Sequence, residues 1–174
     1  MTDREPIPDA SDELIATAYH EAGHAVMAIS LGRNIQKATI APAQMTANSK
    51  RLGAVKMQKG RSKSSGDALE DEVLILFAGM VAESQRTGKY DERGAASDLR
   101  AIGRILETRA RTEKQFEKLH RRLLEKTEHI ISDEVHSKAI RWVAEALIEK
   151  ESISGRLVKH FCLLYTSPSP RDRG

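Results

Sequence analysis

The sequence predicts a mainly α-helical fold with a small β-hairpin-like element. Three observations predict it. Apolar residues recur at the three-and-four spacing of an amphipathic helix over 14–31, 67–86 and 114–149. β-prone stretches are confined to two short pieces, Lys37–Ala41 and Leu52–Met57. Aromatic residues make up 4% of a chain that is 40% hydrophobic, so its core must be aliphatic.

The elements follow in order. Residues 1–11 are a polar, acidic, Pro-broken lead-in, and the Met1 start reads as a natural N-terminus. Ser11 suits an N-cap, with Asp12 and Glu13 in the first turn of a helix that carries Leu14, Ile15, Ala18, Ala22, Ala25, Val26 and Ile29 and stops at Gly32. The two β-prone pieces then form a hairpin or two edge strands, followed by a basic loop at Gly60–Gly66. A second helix spans about Asp67 to Arg86 and closes at Gly88, and a third opens at Gly94–Asp98. The helical pattern from Lys114 to Glu149 breaks near Ser132–Asp133, and a short last helix follows Ser154–Gly155. The final segment, 162–174 (CLLYTSPSPRDRG), has no helical period and reads as translated adapter sequence, outside a domain of residues 12–161.

Composition excludes several classes. With 174 residues the chain makes one domain that can bury roughly 70% of its unfolded surface without disulfide staples. A single Cys excludes an internal disulfide and a Cys-only zinc site. The 28 Lys+Arg against 25 Asp+Glu leave +3, too balanced for a nucleic-acid partner. No apolar run is long enough for a signal peptide or a bilayer span, so neither membrane insertion nor export is expected, and the cytoplasm is the default compartment.

One motif carries chemistry. His20-Glu21-Ala22-Gly23-His24 is an HExxH inside a helical pattern. Residues i and i+4 project from one helical face, so His20 and His24 can share a metal ion. Glu21 lies beside them, placed to take a proton from a water that zinc has acidified. A helix-interior Gly costs about 1 kcal/mol relative to Ala, which makes Gly23 a site of close packing. The long form of the motif is excluded, because Met27 and Ser30 stand where it has Gly and His. A third ligand must come from downstream carboxylates. Glu70, Glu72, Glu83, Asp91, Glu92 and Asp98 are the candidates, and spacing does not choose among them. Asp98 has only the small residues Gly94, Ala95 and Ala96 beside it as a local argument.

Four blocks go further: AYHEAGHAVMA (18–28), LFAGMVAE (76–83), GAASDL (94–99) and ALIEKESISG (146–155). In order and approximate spacing they resemble the peptidase domain of FtsH-type ATP-dependent zinc metalloproteases, over most of residues 12–161. The resemblance implies one zinc per chain, His20 and His24 as ligands, Asp98 as the third, and Glu21 as general base. Glu83 matches a family glutamate that can orient a ligand, and the two β-prone pieces match a small β element whose edge can pair with an extended substrate. Met80 and Ser84 depart from the family's AGRxAEE, where Arg and a second Glu stand.

The expected function is therefore zinc-dependent endopeptidase action on unfolded or flexible polypeptide. No GxxxxGK[ST] phosphate loop occurs, so an ATPase would have to be a separate partner acting in trans. Relatives form rings through their ATPase, which leaves an oligomer open here. The alternative is a non-catalytic helical zinc-binding module that regulates by contact; the retained Glu21 speaks against it. His120, His129, His136 and His160 read as surface or partly buried residues, and Trp142 as core.

Overall fold

A computed structural model describes residues 11–41, 54–57 and 67–166. Those residues form six helices: α1 (Asp12–Ser30), α2 (Ala68–Thr87), α3 (Ala96–Glu107), α4 (Glu113–Ser132), α5 (Glu134–Lys150) and α6 (Gly155–Thr166). They also form three short strands, β1 (Ile35–Thr39), β2 (Ala54–Met57) and β3 (Ser152–Ser154). The chain is mainly α, as its periodicity predicts. Residues 1–10 of the N-terminal lead-in, the loop at Gly60–Gly66 and residues 167–174 lie outside the described residues.

The helix limits have local causes. Ser11 caps α1, its Oγ accepting from the Leu14 N–H at 3.2 Å. Asp67 caps α2 by accepting from the N–H groups of Leu69 and Glu70 at 3.2 and 3.1 Å. Arg109 holds that cap in a two-pronged pair, at 2.8 and 2.9 Å. Gly88 ends α2 in the left-handed region at φ 84°, which its missing Cβ permits. Asp133, extended at φ −61° and ψ 137°, stands between α4 and α5 and breaks them where the sequence pattern does.

The sheet differs from the expected hairpin. β1 pairs antiparallel with β2, as expected, but also antiparallel with β3, giving the order β2-β1-β3. β1 is thus central, and the outer strands are β2 and β3. At three residues β3 is too short to show a period. Its partner lies over a hundred residues away: Thr39 Oγ1 meets Ser152 Oγ at 2.6 Å across a sequence separation of 113.

The core is aliphatic, with Phe77 the one fully buried Phe, Tyr or Trp among the described residues. α1 runs through its centre, against α2 on one side and α5 on another. At Gly23, α1 and α2 pack tightly together. A Cβ there would collide with the Ala78 carbonyl oxygen and lie 2.7 Å from the Ala82 Cβ. Trp142 is half-buried rather than core, its ring tilted against Phe161 with centroids 5.9 Å apart. α6 continues past Phe161 to Thr166, and Cys162 packs against the core, where burial pushes its thiol up to about 11.

Candidate active site

α1 carries His20, Glu21 and His24 into the interior, where they are 1%, 3% and 9% exposed. The two imidazoles sit edge to face with centroids 4.7 Å apart, the result of a one-turn offset on a single helix. Ligand atoms of these three residues lie within 4.8 Å of one another, the one such cluster among the described residues.

α2 orients both rings. The carbonyl oxygen of Ile75 lies 2.7 Å from His24 Nδ1, and Glu83 Oε2 lies 3.1 Å from His20 Nδ1. These acceptors are two helical turns apart, one on the backbone and one on a side chain. With both Nδ1 atoms engaged by α2, both Nε2 atoms face the same point. Asp98, in the first turn of α3, is at that point: its Oδ2 lies 2.8 Å from His20 Nε2 and 3.1 Å from His24 Nε2. Ala95 is fully buried just before it, so small side chains do let the α3 N-terminus approach closely.

The electrostatics follow from this geometry. Burial disfavours a charged imidazole, yet the Asp98 carboxylate, with Glu21 and the Ile75 carbonyl, outweighs it and holds His24 up at about 9. Burial would likewise raise Asp98, but His24 and His20 hold its carboxyl well below the usual range. The centre thus sets one carboxylate against two oriented imidazoles.

The structure brings together His20, Glu21, His24, Asp98 and Glu83. The other carboxylate candidates go elsewhere. Glu70 pairs with Lys126 at 2.8 Å, Glu72 with Arg33, Asp91 caps the Gly94 N–H at 3.0 Å, and Glu92 is exposed. Met80 is buried and the Ser84 hydroxyl turns back to the Val81 carbonyl at 2.7 Å, so neither departure displaces Glu83. Among the remaining histidines, His129 and His160 are exposed and His120 and His136 half-buried. Sequence reasoning missed the Ile75 carbonyl, which no side-chain pattern can announce. It also passed over Gly79, whose place inside LFAGMVAE was the only available signal.

A buried helix with two imidazoles one turn apart, a carboxylate between them in sequence and another facing both in space, defines a class, the HExxH metallopeptidases. Comparison with known proteins narrows it. The model of peptidase family M41 matches residues 9–112, more than half of the chain, and the chain belongs to that family as an FtsH-type peptidase domain. Over 91 residues it is 33% identical to the ATP-dependent zinc metalloprotease FtsH of Ruminiclostridium cellulolyticum. That match covers 51% of this chain and 14% of the relative, so the chain spans a small part of the protein it matches.

Proposed function

We propose that the chain is a zinc-dependent endopeptidase that holds one zinc through His20, His24 and Asp98 and uses Glu21 as general base. The observation that carries this is the convergence of two Nε2 atoms on one carboxylate oxygen, at 2.8 and 3.1 Å, with both Nδ1 atoms already engaged. Two imidazole nitrogens and a carboxylate oxygen are donors of the kind a catalytic zinc takes, so these residues would hold the ion. Zinc bound there would acidify a water and polarise a peptide carbonyl. Glu21, one residue from His20 on the same buried helix, takes the proton of the attacking water and hands it to the departing amine. Glu83 keeps the His20 ring turned with Nε2 toward Asp98, and Ile75 does the same for His24.

The substrate in this reading is an unfolded or flexible polypeptide. A cleft of about 860 Å³ between the first turns of α1 and the 88–94 loop reaches Glu83, behind the His20 ring, and is lined by none of His20, Glu21, His24 and Asp98. The relative's name includes ATP dependence, and an unfoldase acting in trans belongs to the proposal, as does a cytoplasmic setting. Among the described residues no helix is long and apolar enough to cross a membrane.

The test is zinc content together with casein hydrolysis, for the chain and for Glu21→Gln. Zinc should be one per chain in both. Hydrolysis should fall by about 10²–10⁴-fold in the variant, the usual worth of a general base. Zinc in both with hydrolysis in neither, even with a cognate ATPase added, would replace this reading with the non-catalytic module.

A further inference from the structure

α2 meets the centre at three successive turns. The Ile75 carbonyl holds His24 Nδ1 and the Glu83 carboxylate holds His20 Nδ1; Gly79 lies one turn from each. A Cβ at Gly79 would stand 2.5 Å from His24 Nε2, 2.6 Å from His20 Nε2 and 2.6 Å from His24 Cε1. These are the inward-facing atoms of two rigid rings, not the ends of flexible chains. Neither ring can retreat without stretching its Nδ1 hydrogen bond to the same helix. Carbon and nitrogen atoms in contact normally keep about 3.5 Å, so even a methyl group would have to push both rings out of the positions in which they meet Asp98.

The other helix-interior glycines show that this is not general packing. A Cβ at Gly23 would strike the backbone and side chains of α2, and one at Gly103 would meet nothing within 4 Å. Only Gly79 among these three abuts the imidazole nitrogens. Because Gly is the poorest non-proline helix former, its place in the middle of a buried helix needs a reason, and the space in front of the two Nε2 atoms supplies one.

We propose that Gly79 is a positioning residue, whose missing side chain leaves the room in which the two imidazoles and Asp98 converge. As far as it concerns a metal, this rests on the zinc reading above; the spacing of the rings does not. The experiment has two arms. In the first, zinc uptake is measured by metal analysis after dialysis for the wild type, Gly79→Ala and Gly103→Ala. The wild type and Gly103→Ala should take one zinc per chain. Gly79→Ala, folded by circular dichroism, should bind about tenfold more weakly or worse, as for other changes that disturb ligand orientation. Wild-type affinity in Gly79→Ala would overturn the proposal.

The second arm is a thermal-stability cycle in EDTA, which decides the proposal whether or not the wild type takes up zinc. Gly79→Ala should lower Tm when His20 and His24 are present. In a His20→Ala/His24→Ala background the same change should raise Tm, because Ala is the better helix former once the rings are gone. An equal loss of Tm in both backgrounds would overturn the proposal, since the clash would then lie elsewhere. If Gly79→Ala alone does not fold, folding of the triple variant supports the proposal. An unfolded triple variant from a folded double-variant parent overturns it.

Discussion

α1 and α4 are nearly equal in length, at 19 and 20 residues, and oppositely placed. α1 buries every residue from Thr17 to Ala28 except Tyr19. α4 buries only Leu123, Thr127 and Ile131, a stripe spaced by four. A helix buried on all sides must present small side chains, and α1 does so with Ala18, Ala22, Gly23, Ala25 and Ala28. That smallness brings α2 close enough for its carbonyl at Ile75 and its carboxylate at Glu83 to reach the imidazoles. α4, one-sided, screens α2 and supplies nothing to the centre. The candidate centre therefore sits on the buried middle of α1, where neighbours can fix each ring.

The sharpest way to break this contrast is through α4. Leu123→Ala removes a buried side chain and should destabilise the fold by about 2–5 kcal/mol in urea denaturation. Zinc per folded chain should stay at one, and its loss would make α4 part of the centre. Gly23→Ala works from the other side. It wedges α1 from α2 and should cost about 1–3 kcal/mol, with hydrolysis falling alongside because the rings lose their acceptors. Glu83→Gln should leave the fold intact and weaken zinc binding by about 10–100-fold in a competition titration. The smallest effect is expected at the α4 cap. Thr112 accepts from the Gln115 N–H at 3.1 Å, and Thr112→Ala should cost about 1 kcal/mol with hydrolysis unchanged.

Much of the fold was legible from the chain. Ser11, Asp133 and Gly88 mark helix limits through local hydrogen bonding and dihedral preference, and the apolar period along α4 and α5 announces their buried stripes. Of the two β-prone pieces, Ala54–Met57 does pair with Lys37–Thr39, through β2 and β1. β3 escaped because three residues carry no period, and because its partner is paired across more than a hundred residues of chain. Residues Cys162–Thr166 extend α6, although their sequence shows no regular apolar spacing.

The centre divides in the same way. The juxtaposition of His20, Glu21 and His24 is a property of one helix, so their spacing alone puts them on adjoining faces. Asp98 was one of six carboxylates that spacing could not rank, and only the resemblance singled it out. Its contact with His20 spans 78 residues and depends on how α3 docks. Gly79 and the Ile75 carbonyl act through an absent side chain and a backbone atom, neither of which has a residue-type signature. Helical order comes from hydrogen bonds four residues apart, which the sequence by itself determines. Convergence of α1, α2 and α3 on one point comes from packing, and only the tertiary structure decided it.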